Sequence, residues 1–173
     1  ASTLGRLMMK AGDWARDAAF VEQLRNDHPG DPEVQSLVQN ILSYSVPAWH
    51  GRMLADAERN DAYEGAISRA VSGGQTLLDI GTGSGLLAMI AARAGASVVY
   101  GCEANGALAA TAREIAVQNG FNDTNHILNK HSTELDRDGD LQGGVDVIVA
   151  EVFGSSLLSE SALRTFRHAV ANL

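Results

Sequence analysis

Cysteine is almost missing from this 173-residue chain: Cys102 is the only one. No internal disulfide can therefore form, and no Cys/His cluster has the spacing of a zinc site. A reducing, cytoplasmic setting without a structural metal is the default expectation. Long apolar runs are lacking too. No stretch approaches the ~18 uninterrupted apolar residues of a membrane-crossing helix, and no basic-then-apolar leader opens the chain. Ala1 in place of Met reads as the start of an excised piece. Positive charge is scarce, with 13 Lys and Arg against 21 Asp and Glu and a formal net charge of −8. Gripping nucleic-acid phosphates needs clustered Lys and Arg, so nucleic acid and membrane are both set aside as partners. A cationic partner suits this balance better, although acidity also serves solubility alone. With 3 Pro, 18 Gly and 45% hydrophobic residues, disordered and collagenous classes fall away. One soluble globular domain with a short extension remains.

The first 45 residues read as helices. Leu4, Leu7 and Met8 recur at helical spacing, and Ala15, Ala18, Ala19 and Leu24 line a second helix that His28-Pro29-Gly30 ends. Asp31-Pro32-Glu33 restarts the helix with a carboxylate at the N-cap and Pro in the first turn. Leu37, Val38, Ile41 and Leu42 mark the buried face of that third helix. The arrangement faintly resembles one tetratricopeptide repeat, but a single copy cannot support a solenoid, and a helical cap is the plainer reading. Residues 1–45 are thus expected to form an extension and 46–173 the main domain.

From residue 75 strands alternate with helices. Thr76-Leu77-Leu78-Asp79-Ile80 is a short apolar strand ending in glycines, followed by a helix over about 85–94. Ser97 to Glu103 is a second strand, with Asn105 as N-cap for a helix over about 106–119. Asn125 to Lys130 and Val145 to Ala150 complete the set. Strands separated by helices of this length predict an α/β fold of parallel βαβ units. With strand order 3-2-1-4, the Val145–Ala150 strand becomes an apolar edge that invites pairing with another chain, so a homo-oligomer is expected.

Chemistry concentrates after these strands. Gly81, Gly83 and Gly85 follow the first strand and precede a helix, letting a ligand press against backbone near a helix N-terminus. A dinucleotide fingerprint would be GxGxxG, whose third glycine is here Leu86. The tighter spacing preceded by Asp79 looks like the S-adenosyl-L-methionine loop of class I methyltransferases; a purely structural turn is the alternative. Glu103 ends the second strand 18 residues beyond Gly85. A carboxylate there can accept both ribose hydroxyl hydrogens, or be a solvated strand-end acid. His131 and Ser132 follow the third strand, where an adenine ring would lie, and His131 reads equally as an ordinary surface histidine. Glu151 ends the fourth strand, and Glu160 returns nine positions later. Two such acids can clamp a planar guanidinium through paired, charge-assisted hydrogen bonds. Taken alone, Glu160 reads rather as a helix-start acid beside Ser159.

These segments resemble the protein arginine methyltransferases. Glu151 and Glu160 match the family's double-Glu loop. Asn129-Lys130-His131-Ser132-Thr133-Glu134 and Asp79 to Leu87 look most like its type 7 branch. The resemblance runs from about residue 40 to the end. It implies a Rossmann-like class I methyltransferase domain with S-adenosyl-L-methionine as cofactor and an arginine-containing protein or peptide as substrate. It also implies that Arg59, within Met53-Leu54-Ala55-Asp56-Ala57-Glu58-Arg59-Asn60, binds the cofactor's carboxylate, while Met53 and His50 border the substrate arginine. Two departures stand out. Of the family's Tyr-Phe-x-x-Tyr signature only Tyr44 is present, and no rear β-barrel, dimerisation arm or Thr-His-Trp loop is found. The same residues also allow a class I methyltransferase with another substrate, or a non-catalytic cofactor-binding module.

Overall fold

The structure, a computed structural model, describes residues 23–45, 49–153 and 162–173, by backbone alone over 39–45 and at 49. The expected helix at the start of the chain lies outside the described residues. Packing separates two units. One holds the chain up to Asp56 together with Asn105–Ala107, the other Ala57–Ala104 with Leu108–Leu173.

In the first unit, a helical stretch over 23–27 stops at a turn in which Gly30 takes φ +83°. Helix α1 (Pro32–Ser45) then begins as its sequence predicts. Asp31 Oδ1 accepts the amide of Glu33 at 2.8 Å, satisfying one of the orphan donors of the first turn. Val38 is the buried centre of a small cluster with Leu24, Val34 and Leu37. Helix α2 (Trp49–Leu54) follows.

The second unit opens with helix α3 (Ala57–Ala70). Strand β1 (Thr76–Ile80), helix α4 (Leu86–Arg93), β2 (Val98–Cys102), α5 (Gly106–Gln118), β3 (Asn125–Leu128), β4 (Val147–Ala150) and α6 (Ala162–Asn172) complete the order. The sheet runs β3-β2-β1-β4 with every pair parallel, the arrangement expected from the alternation of strands and helices. Period two sorts the strand side chains. Leu77 and Val99 face Ile67 and Val71 on or just after α3 and Leu87, Ala88, Ile90 and Ala91 on α4. Leu78, Ile80, Tyr100 and Cys102 face Leu135, Leu141 and Ala169 on the other side. Burial on both faces explains why β1 reads as a near-continuous apolar run.

Three strands are shorter than their sequences suggest, β2 by one residue at each end. β3 stops at Leu128 because Asn129 turns its Nδ2 to the carbonyls of Glu103 (2.9 Å) and Ala104 (3.3 Å), closing the β2 end. β4 begins at Val147, where pairing with Leu77 starts. Just before it, Asp146 is tied to Thr76 by Oδ2, which accepts the Thr76 amide at 2.9 Å.

Candidate active site

In this sheet order the chain switches direction of growth at β1, so a crevice is expected outside the carboxyl ends of β1 and β4. The glycine loop sits there. Gly81, Gly83 and Gly85 have φ of +72°, +55° and +83°, values that L side chains rarely adopt. A Cβ on Gly81 would stand 3.1 Å from Val152 Cγ1, next to Glu151, so the β1 and β4 ends approach through a missing side chain. The amides of Gly81 and Thr82 both donate to the Cys102 carbonyl, at 2.9 and 3.1 Å, and Gly85 closes the turn onto Thr82 O at 2.8 Å. Helix α4 starts behind Gly85, which has no side chain to cap it, and of its first-turn amides that of Ala88 is taken by Asp79.

Asp79 lies beneath this loop, 1% exposed. Its Oδ2 accepts the Thr82 hydroxyl at 2.6 Å and the Ala88 amide at 3.1 Å. Its Oδ1 is buried with no hydrogen-bond partner. Burial pushes the carboxyl up to about 7, against the pull of those two donors. Glu103, half-buried just past β2, accepts the Gly83 amide on Oε2 at 3.1 Å. Asp79, the three glycines and Glu103 are thus brought together around the turn between β1 and α4.

His131 and Ser132 stand after β3 in a tight 3-10 turn (Ser132–Glu134), with Ser132 buried and His131 exposed. His131 caps that turn: its Nδ1 accepts the Thr133 amide at 3.3 Å, while its own amide donates to Glu134 Oε2 at 3.3 Å. The histidine has a local structural task whatever else it touches.

Arg59 and Glu151 meet. Arg59 Nη2 donates to Glu151 Oε2 at 2.7 Å, with the two side chains 16% and 24% exposed. Arg59 Nη1 donates to Asn60 Oδ1 at 2.8 Å. The guanidinium also lies over the Tyr63 ring, 4.9 Å from its centroid. Burial and the Glu151 charge push the Tyr63 hydroxyl above its ordinary value. His50 and Met53 are half-buried on α2, in the first unit. Glu160 lies outside the described residues.

Sequence reasoning missed Tyr63, Thr82 and Gly101. The Arg59–Tyr63 spacing of four on one helix was a readable signal, because such residues share a face. Thr82 held no such signal, since a hydroxyl between glycines reads as turn chemistry. Gly101 is inside a strand, where a glycine does mark a close backbone approach. No group of His, Cys, Asp and Glu able to hold a metal occurs among the described residues.

Residues 65–165 match the family model described as ribosomal protein L11 methyltransferase (PrmA). The arginine N(omega)-methyltransferase of Streptomyces achromogenes subsp. streptozoticus is 48% identical over 133 residues, 77% of this chain and 37% of that protein. Protein arginine N-methyltransferase 7 of Gallus gallus is 43% identical over 125 residues, 68% of this chain and 18% of that one. Among solved structures, the Trypanosoma brucei PRMT1 enzyme–prozyme heterotetrameric complex with AdoHcy superposes with a TM-score of 0.68 at 38% identity. It covers 76% of this chain and 40% of its own. This chain therefore spans well under half the length of these relatives. Parallel sheet, glycine loop and strand-end acids define a class I S-adenosylmethionine-dependent methyltransferase domain. The chain belongs to the methyltransferase family of the matched model.

Proposed function

We propose that the protein transfers a methyl group from S-adenosyl-L-methionine to a guanidino nitrogen of an arginine in a protein or peptide. The observation that carries this reading is a guanidinium already seated on Glu151, at 2.7 Å, beside the glycine loop. A carboxylate at this strand end has the shape and charge for the substrate's functional group. Arg59, Asp79, Gly81, Gly83, Gly85, Glu103, His131 and Ser132 form the cofactor site, and the residues fit it. Gly81, Gly83 and Gly85 keep the loop free of side chains in a left-handed backbone, and Glu103 offers carboxylate oxygens at the end of β2. The bound cofactor supplies an electrophilic methyl group on a sulfonium. The protein's part is to align the nucleophile, which contributes up to ~7–11 kcal/mol of the barrier. Guanidinium stays protonated throughout the working pH range, so Glu151 and Glu160 draw positive charge toward the nitrogens they contact and aim a third. By the family resemblance, Met53 and His50 border that substrate arginine.

Replacing Glu151 by Gln in the whole protein removes one charge-assisted bond worth ~1.5–3 kcal/mol, so arginine-peptide methylation should fall about ten- to hundredfold. Binding of S-adenosylhomocysteine, read by titration calorimetry, should persist. Unchanged methylation would move the reading to another substrate, the direction in which the L11 description of the matched model points.

A homo-oligomer and a reducing cytoplasmic location complete the proposal. Cys102 is buried as a free thiol, which suits a reducing setting. No helix among the described residues is long and apolar enough to cross a membrane. Val147, Ile148 and Val149 are half-buried on β4, which pairs with β1 and ends the strand order among the described residues. An apolar edge of this kind recruits a second strand. Sedimentation of the 173-residue chain should show a concentration-dependent rise in mass; a monomer at every concentration counts against the edge.

A further inference from the structure

The Arg59–Glu151 pair joins two residues assigned to different ligands. Arg59 belongs to the cofactor's carboxylate and Glu151 to the substrate's guanidinium, yet each here satisfies the other at 2.7 Å. We propose that Arg59 is an internal stand-in for the substrate on Glu151, and that its transfer to a ligand carboxylate couples cofactor binding to arginine binding. The inference rests on the methyltransferase reading above and adds a coupling between its two ligands.

Three features support it. Nη2 of Arg59 serves Glu151 and Nη1 serves Asn60, so a new carboxylate gripped by the two terminal nitrogens competes with both partners. The Tyr63 ring underlies the guanidinium at 4.9 Å and offers a flat support that remains as the in-plane bonds change partner. Charge balance then favours the second ligand. A carboxylate added beside Arg59 leaves Glu151 without its full counter-charge, and a guanidinium from a peptide restores it. Each ligand thereby improves the site of the other, and linkage makes the effect reciprocal.

The probes are S-adenosylhomocysteine, which carries the amino-acid carboxylate, and 5′-methylthioadenosine, which lacks it, titrated into the whole protein by calorimetry. Glu151→Gln should tighten S-adenosylhomocysteine about three- to tenfold, because Arg59 no longer has to leave a charged partner, and should leave 5′-methylthioadenosine unchanged. In the native protein a saturating Arg-containing peptide should tighten S-adenosylhomocysteine by a factor of about five or more, and 5′-methylthioadenosine by none. Glu151→Asp, which keeps the charge but shortens its reach, should tighten S-adenosylhomocysteine in the same direction if Gln disturbs folding. An S-adenosylhomocysteine affinity that is unchanged or weaker in both variants overturns the coupling, because Glu151 would then be positioning Arg59 rather than competing for it. No heat from either probe in the native protein removes the methyltransferase reading itself, and the coupling with it.

Discussion

Gly101→Ala should lose about 3 kcal/mol or more of stability and weaken binding of S-adenosylhomocysteine at least about a hundredfold. Gly101 sits in β2 beside β1, and a Cβ there would stand 2.8 Å from Ile127 Cδ1, 3.0 Å from Thr82 Oγ1 and 3.1 Å from Thr82 Cβ. The isoleucine tip can turn aside. Thr82 cannot, because it is 6% exposed, branched at Cβ and committed by its hydroxyl to Asp79 at 2.6 Å. Overpacking costs ~1–3 kcal/mol, and displacing the hydroxyl removes a bond to a buried carboxyl worth another ~1.5–3 kcal/mol. Ile127→Val in the same background removes only the first contact, so it should rescue a fraction of the loss. Urea unfolding and calorimetric titration of the pair check this. A stability within about 1 kcal/mol of native would mean that Thr82 is free to move.

Asp79 should give the protein a distinct pH signature. Its folded carboxyl sits at about 7 instead of 3.8, chiefly through burial. Between those values the folded state holds a proton that the unfolded chain has released. The stability contributed by Asp79 therefore falls as pH rises from about 4 to about 7, then stays level. The change corresponds to about 4 kcal/mol across that window. Asp79→Asn removes the titration. The difference in unfolding free energy between variant and native protein should shift by this amount in favour of the variant from pH 4 to pH 7, whatever its value at either end. A difference that is flat with pH would show that the Thr82 and Ala88 donors hold the carboxyl ionised throughout. Ligand binding should weaken in the variant at neutral pH, because a side-chain amide presents N–H donors where the site has a carboxyl.

Local chemistry explains why so much of this site was readable. Glycines between a strand and a helix, an acid at the next strand end and Pro behind an N-cap Asp are each fixed by contacts within a few residues. Arg59 illustrates the other kind of residue. Helical periodicity alone makes it an exposed charge, and only the resemblance gave it a carboxylate to bind. Its partner in the fold, Glu151, is 92 residues away. Pairings across such a span depend on how β4 and α3 come to lie together, which no short window encodes. His131 shows a third case, in which one residue satisfied two patterns at once. Its capping of the turn at Ser132 follows from the Glu three positions on, a capping-box spacing.

The Cys102 carbonyl receives amides from both Gly81 and Thr82, so the ladder of the sheet continues past the end of β1 into the bend. A bend stitched in this way is set before any guest arrives. Freezing it on association would release little disorder, and the entropic toll of complex formation falls mainly on the small molecule and on whichever segments close over it.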